Sequence, residues 1–398
     1  MTAVVAIPDA DVPPSARQVE GEWTAWFEPR QAEDFFESPF HHELVEVRIP
    51  GEVCTRAIAP VDLPSDVDPA DVFWRPMPWA DARGGKLRFY SSLYEPGAVF
   101  GGEDGHIFHR INLACEQIFD GVGLTDDGCR RWIEVLERRS EWCAARGIEY
   151  RMLIIPEHHT LYADKVPGRP ALSPDRPVMR LLRAVPGHVR DNIIYPYETM
   201  LAGRAKYETS YPHDVHFTRY GAFLCYRQLM QSLPGFTPER VVEEEQLVPK
   251  TRMVAGDVAR AYGDPGRMME WFDPPRVKSR TVFKSSALTD SQVNVFETGE
   301  HELPRLTMFR TSNSGQLFDF LFRHVSRLTA VSGLKVYFDL LESEAPQIMI
   351  TEMPERYLAG RPPRNDEDRD LCNVNADAQS GFEREFGCAL PLPGTPGA

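Results

Sequence analysis

The stretch from Thr125 to Pro156 constrains the fold more than any other part of the chain. Thr125 is a capping residue, and Cys129, Trp132, Ile133, Leu136 and Cys143 after it fall on one face at a helical period. Arg146-Gly147 then supplies a stop, because glycine readily takes the left-handed conformation that closes a helix. A largely apolar run, residues 148–155, follows at once and ends at Pro156. It is short and holds no glycine, which predicts a strand buried on both faces rather than a second helix. Helix, glycine, buried strand is the order of an α/β sheet.

The same order recurs downstream. Helices are expected at 177–184, at 218–231 with Ala222, Phe223, Tyr226 and Met230 facing inward, and at 315–327 with Leu317, Phe318, Leu321, Phe322 and Val325. Strands are expected at 192–195, 306–309 and 347–351. Together these predict one mostly parallel sheet with helices on both faces, a three-layer α/β/α fold. In such sheets ligands bind at the carboxyl ends of strands, so the residues that follow each strand are the ones to inspect.

Residues 1–88 are rich in Pro, Asp and Glu with scattered aromatics, Trp23, Trp26, Phe27, Phe35 and Phe36. They are expected to form an irregular extension that packs on a core domain at 89–362 through those rings. Residues 363–398, charged and then rich in Gly and Pro, are expected to be a mobile tail. The formal charge of −15 argues against an extended nucleic-acid surface, which would need a basic patch. The pairs Arg130-Arg131 and Arg138-Arg139 sit among acidic residues and read as a solvated helix face.

Seven cysteines are scattered without zinc-type spacing or a disulfide framework, and Cys115, Cys129, Cys143 and Cys225 fall in apolar helical stretches as small hydrophobes. No run is long enough to span a membrane, and the residues from Met1 to Pro8 do not form a secretory leader. A cytoplasmic protein is the resulting expectation, unless a leader was removed.

Three places near strand ends carry reactive side chains: Glu157-His158-His159, Asp214-Val-His216 and Thr311-Ser-Asn-Ser314. Adjacent histidines at a strand end point apart and no third ligand is near in sequence, so no metal is expected there. A serine between a buried strand and a helix sits where backbone N–H groups can meet a developing oxyanion. Such a serine needs a base, and the base needs an orienting group. Asp214 and His216, two apart in an extended segment, would project to the same side and supply both. The spacing alone leaves a second reading open, in which Asp214 caps a turn and His216 packs at the start of a helix that Thr218 caps. Ser314 is a rival nucleophile whose plainer role is to cap the following helix. Asn313 is either an oxyanion donor or a turn residue. Arg356 either contacts substrate or pairs with Glu352 or Glu355.

The block 101–358, about two thirds of the chain, resembles the SGNH-hydrolase-like domain of the alginate O-acetyltransferase family of the AlgX and AlgJ type. Glu103-Asp-Gly-His-Ile-Phe108 is similar to an early family motif, with His106 where Trp is usual. Residues 145–156 and the segment Leu161-Tyr-Ala-Asp-Lys-Val-Pro167 are similar to the family's strand and the loop after it. Asp214-Val-His-Phe-Thr-Arg-Tyr-Gly-Ala222 resembles the signature Asp-x-His-Trp-Thr-x-x-Gly-Ala, with Phe217 in place of Trp. Thr311-Ser-Asn-Ser314 resembles the nucleophile loop, with Arg310 where Gly is usual, and residues 346–358 resemble the closing strand.

The resemblance implies Ser312 as nucleophile, His216 as general base and acid, and Asp214 as its orienter, with the His motif before the Ser motif, a permuted order among SGNH enzymes. Asn313, Arg356 and Tyr357 are the further candidates for substrate or oxyanion contacts. The implied activity is serine-dependent O-acyl transfer, from an acetyl ester, acetyl-CoA or an acyl carrier to a sugar hydroxyl, without metal or other cofactor. Two rivals stand beside it: a carbohydrate esterase using the same residues with water as acceptor, and a non-catalytic glycan-binding protein of the same fold. Gly256-Asp257 is similar to a Gly-Asp pair of the family and has no role assigned at this level.

Overall fold

The computed structural model describes residues 93–94, 97–112, 114–121, 124, 126–233, 238–284, 293–334 and 336–359, with the backbone of five short strands before residue 61. Those five strands form antiparallel ladders, Val4–Val5 with Glu22–Trp26 and Ala16–Val19, and His42–Glu46 with Arg56–Pro60. The expected packing of its aromatics and the tail 363–398 lie outside the described residues.

The chain divides into two compact units. One holds Met1–Trp132, Tyr162–Arg183 and Arg356–Pro362, and the other is built from Ile133–Leu161 and Ala184–Glu355. The second carries a seven-stranded sheet: β1 (Glu149–Ile155), β2 (Ile193–Ile194), β3 (Arg280–Lys284), β4 (Val293–Glu297), β5 (Arg305–Arg310), β6 (Arg327–Ser332) and β7 (Ile348–Pro354). Its order is β3-β4-β6-β5-β7-β1-β2. The five strands from β6 to β2 are parallel, and β4 and β3 extend one edge antiparallel.

The sequence and the sheet agree where burial is two-sided. Residues Tyr150–Ile155 of β1 are all buried. Each fully buried Leu, Ile or Met there stabilises by about 1.5–3 kcal/mol, far more than β propensity distinguishes. Helix α1 (Asp126–Ala144) precedes it, and Gly147 (φ 68) makes the left-handed turn between them, with Ile148 N–H bonded to Cys143 O at 2.9 Å. The buried stripe of α1 includes Cys129, Trp132, Val135, Leu136 and Cys143, and also Arg139.

Arg139 corrects the solvated-face reading. It lies three residues after Leu136 and four before Cys143, so helical periodicity carries it inward. Its Nη2 donates to Leu334 O at 3.1 Å. The four cysteines Cys115, Cys129, Cys143 and Cys225 are buried free thiols.

Helices α2 (Pro177–Ala184), as expected, and α3 (Tyr197–Gly203) follow in the chain, while two other expectations change. The helix predicted at 315–327 is a 3₁₀ turn (Ser312–Gln316) followed by a four-residue helix (Phe318–Leu321), and Arg327 opens β6 instead. Glu344, almost fully buried, sets that switch by taking Arg327 Nε at 2.9 Å and Thr329 Oγ1 at 2.6 Å. A hairpin, Val248–Val254 with Arg267–Asp273, was not expected, because its first strand is exposed from Val248 to Met253 and has no apolar face to show in the sequence. Among the described residues no helix is long and apolar enough to cross a membrane.

Candidate active site

At the carboxyl end of β5 the chain turns sharply through Thr311 into Ser312–Gln316. Parallel pairing with β7 ends at Phe309 opposite Thr351. Beyond that point the carboxyl of Glu352 takes over, accepting Thr311 N–H at 2.8 Å and Thr311 Oγ1–H at 2.9 Å. Glu352 is fully buried. Burial pushes its carboxyl pKa up, against the opposing pull of Thr311 and of the Arg310 and His216 charges. Ser312, next in the chain, is exposed.

The segment 207–218 approaches Ser312 from the other side. It is a series of bends, not the extended strand expected for Asp-x-His. The bends are pinned by Tyr211 N–H to His216 O at 3.1 Å and by Ser210 Oγ–H to the same carbonyl at 3.2 Å. Phe217 is buried and bridges Ser210. Thr218 then caps helix α4 (Arg219–Gln231), its hydroxyl oxygen accepting Gly221 N–H at 3.0 Å. A side chain at Gly221 would sit 2.0 Å from Thr209 O, so only glycine lets the helix press against the segment that carries His216. That explains Phe-Thr-x-x-Gly: a buried anchor, a cap, and a contact without a Cβ.

These two segments bring three predicted residues together. His216 Nδ1 is 3.1 Å from Asp214 Oδ1, and His216 Nε2 is 2.8 Å from Ser312 Oγ. The partners assign the tautomer: Nδ1–H donates to the carboxylate, which leaves Nε2 to accept the serine hydroxyl. The His216 and Asp214 side chains are only 16% and 13% exposed, so their bond is shielded from water while Ser312 stays reachable.

Asp214 is held by more than the imidazole. Its Oδ1 also accepts Val215 N–H at 2.7 Å and Asp257 N–H at 3.2 Å. Burial alone would raise the Asp214 pKa, but the bond and charge of His216 and the two backbone donors hold it below the usual carboxylate range. Asp257 begins a short helix (Asp257–Tyr262) preceded by Gly256. A Cβ on Gly256 would be 2.2 Å from His213 O and 2.7 Å from Asp214 Cβ. The Gly-Asp pair left unassigned by sequence is thus the support under Asp214.

Sequence reasoning missed Glu352, and it missed Arg219. The buried Arg219 guanidinium donates to Gln316 O at 2.7 Å and to Asp319 at 2.8 Å, tying the start of α4 to the nucleophile turn. Its position directly after a capping Thr was the one available signal, and it does not specify a partner. Ser314 does not cap the next helix; its Oγ–H returns to Thr311 O at 3.1 Å. Asn313 is buried and its Oδ1 has no partner among the described residues. Arg310 turns back to Thr311 O at 3.0 Å with its guanidinium over the Phe318 ring.

Glu352 holds Thr311, and Glu355 accepts from Thr160 and Tyr195. Arg356 and Tyr357 belong to the other compact unit, where the Arg356 guanidinium lies 4.8 Å from the Tyr357 ring centroid. His158 and His159 are both buried on a helical turn (His158–Leu161), not at a strand end.

Asp214, His216 and Asp257 could each offer one donor atom within 4.8 Å of the others. A cation there would have to displace the Nδ1–H to carboxylate bond or the serine from Nε2. A cleft of about 830 Å³ lined by Arg280, Glu297, Arg305, Arg327 and Glu344 lies at the amino ends of β5 and β6 and contains none of the three aligned residues. Its arginines are paired internally with Glu297 and Glu344.

Similar chains occur among solved structures. The chain is similar to Bacillus cereus PatB1 with a sulfonyl adduct (12% identity, 59% of this chain and 89% of that chain, TM-score 0.47). It is similar to the O-acetyltransferase domain of Pseudomonas putida AlgJ (15%, 73% and 99%, TM-score 0.44) and to Pseudomonas aeruginosa AlgX (15%, 75% and 72%, TM-score 0.37). No curated protein matches the sequence. The family profile described as SGNH hydrolase-like domain, acetyltransferase AlgX, matches residues 122–329, just over half of the chain and inclusive of Asp214, His216 and Ser312. The chain therefore belongs to the family of SGNH hydrolase-like domains of the acetyltransferase AlgX type.

Proposed function

We propose that this protein transfers an acyl group, most simply acetyl, from a donor ester or thioester to a carbohydrate hydroxyl through a covalent intermediate on Ser312. The observation that carries this reading is the unbroken line from Asp214 Oδ1 to His216 at 3.1 Å and from His216 to Ser312 Oγ at 2.8 Å. Ser312 Oγ bonds to the acyl carbon while its proton passes to His216 Nε2. Asp214 stabilises the imidazolium formed at that moment. The first N–H groups of the turn have no helical partner and are the donors available for the oxyanion. Collapse expels the donor's alkoxide or thiolate, which takes the proton from Nε2. The acceptor hydroxyl then loses its proton to Nε2 and bonds to the acyl carbon, and Ser312 Oγ leaves with that proton, restoring the serine and the neutral imidazole.

Ester hydrolysis is the second reading, and the exposure of Ser312 favours it, since water can reach an acyl-enzyme there. Turnover of a chromogenic acetyl ester with and without oligosaccharide acceptors, followed by mass spectrometry of the sugar, separates the two. Acylated sugar and acceptor-stimulated turnover are expected. Turnover indifferent to every acceptor, with no acylated sugar, assigns the protein as an esterase. Ester turnover undiminished in Ser312→Ala rejects this serine altogether.

A further inference from the structure

Thr311 occupies the cap position of the nucleophile turn and does not cap it. A threonine there ordinarily lends its side-chain oxygen to the N–H groups one turn ahead, as Thr218 does for Gly221 in the same protein. Thr311 instead spends both its N–H and its hydroxyl on Glu352. Glu352 is fully buried, and the contact joins the residue that follows β5 to the neighbouring parallel strand β7, beyond the last residue pair of their ladder.

Two consequences follow from the geometry. Anchored through two donors, Thr311 fixes the backbone immediately before Ser312, whose Oγ must stay near 2.8 Å from His216 Nε2. With its hydroxyl turned away, Thr311 also leaves the N–H groups of Asn313 and Ser314 without a side-chain competitor. A carboxyl suits this task because it presents two acceptor oxygens to an N–H and an O–H on one residue.

We propose that Glu352 is a positioning residue for the acyl-transfer reaction: it withholds Thr311 from capping the nucleophile turn and so keeps Ser312 and the turn's backbone donors in a reactive arrangement. This rests on the reading of Ser312 as nucleophile. It adds a role for a residue that touches neither substrate nor any of the three aligned side chains.

The test has one arm that does not depend on turnover. In a crystal structure of Glu352→Leu, Thr311 Oγ1 is expected to swing within hydrogen-bond distance of the N–H of Asn313 or Ser314; a Thr311 side chain that keeps its place overturns the proposal. In the ester assay, Glu352→Leu should lower kcat by about a hundredfold with KM within about threefold, the scale of a misplaced reacting group. Glu352→Gln, whose amide can still accept from Thr311 N–H and meet its hydroxyl, should stay within about tenfold of wild type. The double variant Glu352→Leu/Thr311→Val should recover about tenfold over Glu352→Leu, because valine cannot cap. A merely structural Glu352 gives no such recovery, and its absence rejects the proposal.

Should Glu352→Leu fail to fold, Thr311→Val alone decides: it keeps the N–H on Glu352 and cannot cap. A kcat within about threefold of wild type supports the proposal, and a loss above about tenfold overturns it. If the wild type turns over no ester, the reading of Ser312 fails, and the position of Thr311 in the Glu352→Leu crystal still decides the cap.

Discussion

Asp214 and Asp257 share one oxygen's worth of geometry: the N–H of Asp257 reaches Asp214 Oδ1 at 3.2 Å, the same atom that receives His216 Nδ1 at 3.1 Å. The orienting carboxylate is thus held from behind by a helix start 43 residues later in the chain. An aspartate that can turn only with its backbone donors presents one fixed oxygen to the imidazole.

Replacing Asp214 by Asn should lower kcat for a chromogenic ester on the order of 10³–10⁴-fold, since the amide favours the wrong imidazole tautomer. The Asp214 pKa is held below its ordinary value, so its bonds contribute stability that is complete above the unfolded value, near 4, and lost as pH falls through the folded value. The stability difference between wild type and Asp214→Asn, measured by urea unfolding, should therefore shrink as pH drops below about 4. A difference that widens on acidification contradicts the assignment.

Gly256→Ala tests the support under Asp214. The added methyl would stand 2.2 Å from His213 O, so the loop must give way. Overpacking of this kind costs about 1–3 kcal/mol. Because the displaced group is Asp214, kcat should fall more than tenfold beyond what the melting temperature accounts for. Kinetics and calorimetry on the same preparation check this, and unchanged kcat would show that Asp214 tolerates the shift.

Two substitutions at the start of α4 should act on stability first. Thr218→Ala removes the hydroxyl that caps Gly221 N–H and should cost about 0.5–2 kcal/mol. Gly221→Ala forces a contact 2.0 Å from Thr209 O and should cost about 1–3 kcal/mol. Chemical denaturation measures both. A Gly221→Ala protein as stable as wild type would mean that α4 can back away from Thr209 without loss.

His324 sets an acid limit unrelated to the reaction. Its ring accepts a hydrogen bond at 2.6 Å from the Tyr226 hydroxyl, which in turn accepts Val242 N–H at 3.0 Å. Burial, aided by the nearby Arg323 and Arg240 charges, pushes its pKa down to about 3. The unfolded chain therefore takes up the proton first as pH falls. Stability is fully present above about 6.5 and falls between there and about 3, by up to about 1.4 kcal/mol per pH unit for this group. His324→Gln should flatten that part of the stability profile. A profile of unchanged slope assigns the acid sensitivity elsewhere.

What could be read in advance follows the physics of burial. β1, β5 and β7 were legible because strands covered on both faces become near-continuous apolar runs, and β1 is buried from Tyr150 to Ile155. β3 and the hairpin at Val248–Val254 were not, because exposed strands carry no such run. The helix expected after Ser312 failed for a different reason. Leu317, Phe318, Leu321, Phe322 and Val325 do recur at a helical period, but the buried Glu344 draws Arg327 and Thr329 into a strand. Periodicity reports which side chains are buried, not which distant carboxylate they will meet.

The candidate site divides in the same way. Phe217, Thr218 and Gly221 form a local device whose parts lie within five residues, so the motif around His216 is written in the sequence itself. Ser312 could be nominated from its place after a buried strand, yet it lies 96 residues from His216, and only the folded sheet brings them to 2.8 Å. Glu352 and Asp257 act across 41 and 43 residues through backbone N–H groups, which every residue except proline carries and which therefore leave no mark in a sequence. The amino-acid order by itself determined the α/β layering and the residue types available for acyl transfer, because both depend on local pattern. The tertiary structure decided which backbone donor supports Asp214 and which carboxyl restrains the nucleophile turn, because those are contacts between strands and loops that only the folded sheet aligns.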